Sequence, residues 1–111
     1  MNKIFLLLLA VLLFNLSPLS AAIYKGQKVF VKKCSECHES GQSFVASKKM
    51  REWKKLMKKK GEPLAKIHFK SDKAKDSWKY FKSNTYAKKS KHLKQFLVEY
   101  AKDSGNVPAC N

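Results

Sequence analysis

The stretch GQKVFVKKCSECH, residues 26–38, combines a helical repeat with a cluster of chemically reactive side chains. Gly26, Phe30 and Cys34 recur every four residues, so they share one face of a helix. A second cysteine and a histidine follow directly after this face ends. The pattern predicts a helix over 24–37 that gathers two thiols and an imidazole near its C-terminal end.

Three further helices are predicted from apolar residues that recur at intervals of three and four positions. They run over 47–60, 72–82 and 89–103, with Gly61 as the stop of the first and Asp72 as the N-cap of the second. Their apolar stripes are Met50, Trp53, Leu56 and Met57, then Ala74, Trp78 and Phe81, then Leu93, Phe96, Leu97, Tyr100 and Ala101. No stretch alternates as a strand does, so the predicted fold class is all-α with about four helices.

Residues 1–22 have the pattern of a cleavable secretory signal peptide. Lys3 precedes an apolar run over 4–14, and the small residues Ser20 and Ala22 fit the −3 and −1 positions of a cleavage site. The apolar run is too short to cross a bilayer comfortably, so we expect no membrane span after cleavage. The product would be exported, and together with the cysteine motif this favours a periplasmic location.

Cleavage after residue 22 would leave 89 of the 111 residues, enough for one small domain over 23–104 and a tail over 105–111. A chain this short buries limited apolar surface, so a bound group in its core would stabilise it. The tail carries Cys110, which makes three cysteines in total, an odd number for an exported protein. Cys110 has three interpretations: a free thiol, a disulfide to a partner, or a reactive group for a sulfur substrate.

The chain is strongly basic, with 24 Lys and Arg residues against 8 acidic ones and a formal charge of +16. Removal of Lys3 with the leader would leave +15, since 23 basic residues then face 8 acidic ones. Such a field steers association with acidic partners. Export argues against nucleic acid, and one arginine among so many lysines does so too. We expect acidic redox proteins as partners of a lysine-rich surface, with a merely solubilising role as the alternative.

The C-x-x-C-H motif at Cys34, Cys37 and His38 is typical of covalent haem attachment. Two thiols about one helical turn apart can form thioethers with the two vinyl groups of one haem edge. The adjacent imidazole can then bind the iron. The motif therefore predicts one haem c, with Cys34 and Cys37 as attachment points and His38 as the proximal iron ligand.

Two other kinds of site use the same cysteine pair. A redox dithiol of the thioredoxin type lies between a strand and a helix, whereas helical sequence precedes this motif. A structural zinc site needs four ligands, usually in two pairs. The remaining candidates His68, His92 and Cys110 are scattered singly along the chain, which favours haem over zinc.

The two ends of the expected domain resemble class I cytochromes c. The run Gly26-x-x-x-Phe30-x-x-x-Cys34-x-x-Cys37-His38 is similar to their N-terminal helix and haem motif, and Leu93-x-x-Phe96-Leu97 is similar to their C-terminal helix. The resemblance implies a small class I-like fold around one haem, with the first and last helices crossing near the glycine. A residue without a side chain at Gly26 would permit that close approach.

The distal iron ligand is left open between Met57, His68 and Asn84. Electron-transfer members of the family usually supply a methionine from a loop before the last helix, and no methionine lies between Pro63 and the last helix here. Met57 lies beside a predicted helix end. His68 lies in an apolar setting within a short connection that begins at Pro63. The other two candidates, Met50 and His92, are predicted to be a core residue and a solvent-facing residue.

Asn84 enters through a second resemblance. The segment Lys79-Tyr80-Phe81-Lys82-Ser83-Asn84 is similar to one in a minor branch of small high-spin cytochromes c. In that branch an asparagine approaches the iron and leaves when small ligands bind. The branch follows its asparagine with a disulfide cysteine, and Thr85 stands there in this chain. The alternative is an ordinary turn residue.

These features predict an electron-transfer protein rather than an enzyme. It would carry single electrons between periplasmic partners, as the acceptor or subunit of an oxidoreductase such as a sulfite dehydrogenase. One alternative is a high-spin haem protein that binds O2, NO or an anion at a weak distal site. Another is an enzyme that uses Cys110 on sulfur compounds.

Overall fold

The computed structural model describes residues 3–4 and 18–108, and throughout these ranges the only regular structure is helical. The helices are α1 (Pro18–Lys33), α2 (Gln42–Val45), α3 (Met50–Leu56), α4 (Lys58–Phe69), a 3-10 helix (Asp72–Ser77), α5 (Trp78–Phe81) and α6 (Asn84–Glu99). The predicted all-α class is confirmed for this part of the chain. The number of helices is higher than the four predicted.

The first and last helices form the largest contact between elements of the fold. Gly26 makes it possible: a Cβ there would lie 2.6 Å from the His92 carbonyl carbon and 2.7 Å from the Phe96 Cβ. The buried side chains Phe30, Leu93 and Phe96 fill the crossing, and the Phe30 and Phe96 rings lie 5.4 Å apart. The predicted close approach at Gly26 is therefore confirmed.

The middle of the chain departs most from the predicted helices. The expected single helix over 47–60 ends early, with α3 at Leu56, and the start of α4 is interrupted because Lys59, Lys60 and Gly61 adopt positive φ angles of 49°, 58° and 78°. After this left-handed turn the chain is helical again to Phe69, so the expected short connection from Pro63 is wrong. Pro63 is tolerated because it lies in the first turn of the renewed helix, where no intrahelical N–H bond is lost.

The predicted helix over 72–82 is a 3-10 helix followed by the single-turn α5. Its N-cap is Ser71 rather than Asp72. The last helix begins at Asn84, five residues earlier than predicted, because the Ser83 hydroxyl accepts a hydrogen bond from the Tyr86 N–H. Tyr86 is thereby brought into the helix, and its side chain is buried in the core.

No helix among the described residues is long and apolar enough to cross a membrane. Most of the predicted signal peptide, including nearly all of its apolar run, lies outside the described residues. The predicted cleavage point after Ala22 falls within α1 and stays a prediction. Cys110 also lies outside the described residues.

Candidate functional site

A cavity of about 410 Å³ lies between the end of α1, the middle of the chain and α6. This volume falls within the roughly 300–1,000 Å³ of sites that hold small molecules and cofactors. Its walls are mainly apolar and aromatic, with contributions from Phe30, Phe44, Trp53, Leu64, Leu93 and Leu97. The two cysteines and the histidine of the C-x-x-C-H motif also line it, so these three side chains border a mainly apolar space.

The motif forms a turn that continues the axis of α1. The Cys34 N–H donates to the Phe30 carbonyl at 2.8 Å, and the His38 N–H donates to the Cys34 carbonyl at 2.8 Å. This turn holds the two cysteines and the histidine at one end of the cavity. The thiols are not bonded to each other, and Cys34 is partly buried while Cys37 is exposed.

The environment of Cys34 does not favour a reactive redox thiol. Burial, with a smaller contribution from neighbouring Cys37, raises the pKa of the Cys34 thiol to about 12. Attacking thiols in redox dithiols work as thiolates, with pKa values of about 3.5–7.5. Cys34 is therefore a neutral thiol in contact with an apolar cavity, and the thioredoxin-like interpretation gains no support.

His38 lies against an aromatic ring and is held in its neutral form. Its imidazole stacks on Phe44 with ring centroids 3.8 Å apart and planes inclined by 18°. Burial lowers the pKa of His38, and the proximity of His68 lowers it further. A neutral imidazole keeps a nitrogen lone pair, which is the form that binds metal ions.

His68, on the last turn of α4, also lines the cavity. Its ring centroid lies 6.3 Å from that of His38, and the two ring planes are perpendicular. Its Nδ1 lies 2.8 Å from the Leu64 carbonyl oxygen. A carbonyl only accepts hydrogen bonds, so Nδ1 is the donor in this contact and Nε2 is left as the other ring nitrogen.

Two aromatic residues from the following elements fix the position of His68. The Trp78 Nε1–H donates to the His68 carbonyl at 2.7 Å. The Phe81 ring packs against the imidazole with centroids 4.2 Å apart. Neither residue was among the predicted site residues. No local sequence pattern connects Trp78 to a carbonyl ten positions earlier, so this hydrogen bond to His68 could not be predicted from the sequence.

The other distal candidates do not line the cavity. Met57 is buried, and its methyl group lies on the side of Gly61 and Tyr86. Asn84 is exposed as the first residue of α6. His92, predicted to face solvent, is instead partly buried, because the absence of a side chain at Gly26 brings α1 directly onto its backbone.

The next question is whether Cys, His, Asp and Glu side chains cluster as in a structural zinc site. Across 3–4 and 18–108, no group of three or more Cys, His, Asp and Glu side chains lies close enough to hold a metal ion. The thiols of Cys34 and Cys37 and the imidazoles of His38 and His68 all line the cavity.

Comparison with protein-family models, with curated proteins and with solved structures gives no match to this chain.

Proposed function

We propose that this chain is a small monohaem c-type cytochrome that carries single electrons in the periplasm. The observation that supports this most is the pairing, across one apolar cavity, of the C-x-x-C-H turn with the His68 imidazole. In this proposal Cys34 and Cys37 would hold one haem c through thioethers, and His38 and His68 would bind its iron. The bound haem would supply reversible one-electron chemistry at its iron.

The separation of the two imidazoles supports His68 as the distal ligand. Imidazole nitrogens bind first-row metal ions at about 2.0–2.1 Å, so two rings on opposite sides of one ion have centroids about 6 Å apart. The observed distance between the His38 and His68 centroids is 6.3 Å. Met57 and Asn84 lack such a relation to His38, since neither lines the cavity.

The hydrogen bonding of His68 supports the same role. Histidines that bind metals usually donate their second ring N–H to a carbonyl or carboxylate, which fixes the ring and its tautomer. The contact between Nδ1 and the Leu64 carbonyl has this form. Burial lowers the pKa of His38, which favours the neutral form of that imidazole, and the neutral form is the one that binds metal ions.

In this proposal both His38 and His68 would bind the iron, which favours an electron carrier over a high-spin haem protein that binds a small ligand. A site for O2, NO or an anion needs one face with a weak ligand. The aromatic residues Phe30, Phe44 and Trp53 give the site apolar walls, and an electron carrier needs no residues that make or break bonds. The protein would act as acceptor or subunit of a periplasmic oxidoreductase, such as a sulfite dehydrogenase, and not as an enzyme itself.

The attachment is tested by expressing the chain in cells that make c-type cytochromes. We expect wild-type protein to retain haem in a denaturing gel. Cys34→Ala and Cys37→Ala should each lower covalent haem content, and the double variant should abolish it. Wild-type protein without covalent haem would reject the proposal as a whole.

The distal ligand is tested on the haem-loaded protein by absorption and electron paramagnetic resonance. We expect low-spin haem in wild type, with no carbon monoxide binding by the reduced form. His68→Ala should convert it to high-spin haem that binds carbon monoxide. Met57→Leu and Asn84→Ala, which alter the other two candidates for the distal ligand, should give the same spectrum as wild type. A His68→Ala spectrum identical to wild type would reject His68 while leaving the attachment intact.

A further inference from the structure

A second concavity, here called the basic groove, runs between α1 and α6. Its volume is about 780 Å³, larger than the cavity beside it. Lys33 and Tyr80 line both spaces, so these two side chains separate the groove from the cavity. None of the residues assigned above to haem attachment or to iron binding lines this groove, which therefore needs an explanation of its own.

Lysines form both walls of the basic groove. The α1 wall contributes Lys25, Lys28, Lys32 and Lys33. The α6 wall contributes Lys88, Lys89 and Lys91. No acidic side chain lines the groove, although eight acidic residues occur in the chain.

These seven charges lack neutralising partners in the described residues. The ion pair found there joins Lys66 to Glu62, far from the groove in sequence and outside its lining. Like charges that converge on one concave surface repel each other and concentrate a positive potential inside it. A fold that keeps such an arrangement has a surface ready to bind a multivalent anion.

Two residues that line the groove each carry a buried polar atom without a hydrogen-bond partner. The Tyr80 hydroxyl and the His92 Nδ1 are both buried, and neither has a hydrogen-bond partner in the structure. Buried polar atoms in folded proteins almost always have partners, so the exceptions call for a specific explanation. Both residues line the groove, and the ammonium group of Lys33 lies over the Tyr80 ring at 5.2 Å.

We propose that the basic groove binds a polyvalent oxyanion, a linear or compact molecule that carries several phosphate or sulfate groups. Lysine ammonium groups bind such oxygens as point charges, and movement of their long stems would open the groove floor. The Tyr80 hydroxyl and a His92 Nδ1–H can then donate to the entering oxygens. A folded acidic protein reaches lysine tips on a convex surface, whereas its carboxylates do not reach the floor of a concave groove. This inference does not depend on haem.

The test is calorimetric titration of the purified full chain with inorganic tripolyphosphate. The groove variant is Lys28→Gln, Lys88→Gln and Lys91→Gln together. The matched control is Lys54→Gln, Lys58→Gln and Lys75→Gln, which removes three exposed lysines that do not line the groove. We expect the groove variant to bind tripolyphosphate about tenfold more weakly, because three modest charge contributions are lost together. The affinity of the control should change by less than about twofold, because its three lysines do not line the groove. Equal weakening in both variants would overturn the proposal.

Further titrations distinguish the source of the oxyanion. A sulfated oligosaccharide and tripolyphosphate are compared directly, and the tighter ligand identifies sulfate or phosphate as the preferred group. Tyr80→Phe, which removes only the hydroxyl, should weaken the tighter ligand further. A polyglutamate peptide that binds as tightly, with the same loss in the groove variant, would overturn the proposal in favour of an acidic protein. Binding of none of the three would overturn it outright.

Discussion

The crossing of α1 with α6 and the middle of the chain from α4 to α5 are held together in different ways. At the crossing the two backbones touch directly, because Gly26 offers no side chain to separate them. In the middle, single side chains reach across to backbone carbonyls: the Tyr86 hydroxyl donates to the Gly61 carbonyl at 2.6 Å, and the Trp78 Nε1–H donates to the His68 carbonyl at 2.7 Å.

This difference determines how each region responds to change. A backbone contact between packed helices cannot give way without moving a whole helix. A side-chain bridge can shift or rotate, so the loss of one costs about one hydrogen bond. The crossing therefore sets the global stability, and the middle region adjusts the position of His68 within it.

The largest effect is expected from Gly26→Val. Its added atoms would overlap the His92 backbone and the Phe96 Cβ, where even a single Cβ would lie within 3 Å. We expect a loss of at least about 3 kcal/mol in the free energy of unfolding, at the upper end of typical overpacking costs. Urea unfolding followed by helical circular dichroism measures it.

Gly26→Ala provides the control for helix propensity, since that propensity alone predicts stabilisation by about 1 kcal/mol. We expect destabilisation instead. A second control, Val31→Ala, alters a half-exposed side chain of the same helix and should have little effect. A stabilising Gly26→Ala would show that the helices are not in backbone contact.

The turn at Gly61 should yield the next largest effect. Gly61 has a φ of 78°, which costs a residue with a side chain about 1–2 kcal/mol. A Cβ there would also lie 2.7 Å from the Tyr86 ring carbon that carries the hydroxyl. We expect Gly61→Ala to lose about 2 kcal/mol, less than Gly26→Val because the end of a tyrosine side chain can move.

Lys60→Gly is the matched variant in the same turn. Lys60 already has a φ of 58°, so glycine there should relieve strain and stabilise by up to about 1 kcal/mol. The opposite signs of these two changes, measured by urea unfolding, test the left-handed turn. Two losses of equal size would mean that the turn is helical in solution.

The same contrast explains what the sequence could predict. The crossing was predictable because its residues repeat with helical spacing inside two long segments, and a glycine in such a repeat indicates close approach. The motif of Cys34, Cys37 and His38 was predictable because its three side chains are neighbours in sequence. Both inferences use local periodicity alone.

The middle region was not predictable by that means. Lys59 and Lys60 carry no preference for positive φ, so nothing indicated that the turn would begin before Gly61. Pro63 looked like the start of a loop, yet it lies at the one part of a helix that tolerates proline. The orientation of His68 depends on that helix and on Trp78, a contact between distant residues.

The hydrogen bond from Tyr86 to Gly61 should contribute less than the turn itself. Tyr86→Phe removes the hydroxyl and leaves the buried Gly61 carbonyl without this donor. We expect a loss of about 1–2 kcal/mol in the free energy of unfolding. Tyr24→Phe, at a tyrosine that is 56% exposed, should leave stability unchanged and serves as the control. If Tyr86→Phe were as stable as wild type, the hydrogen bond from Tyr86 to Gly61 would contribute nothing to stability.

An effect confined to alkaline pH is expected from the ionisation of Tyr80, which stands between the cavity and the basic groove. Burial raises the pKa of the Tyr80 hydroxyl to about 12, with a smaller contribution from Cys34. A free tyrosine ionises near pH 10, so between about pH 10 and 12 the unfolded chain releases a proton that the folded chain retains. The stabilisation from neutral Tyr80 is complete below pH 10 and is lost as the pH rises towards 12.

Tyr80→Phe isolates this contribution from those of Cys34 and Tyr86, whose pKa values are also raised by burial. Both proteins should lose stability in alkali, but wild type should lose it more steeply between pH 10 and 12, because only wild type carries the buried hydroxyl. Urea unfolding at closely spaced pH values gives the two slopes, and Tyr24→Phe should follow wild type. Parallel curves for wild type and Tyr80→Phe would mean that Tyr80 is as accessible to solvent in the folded chain as in the unfolded one.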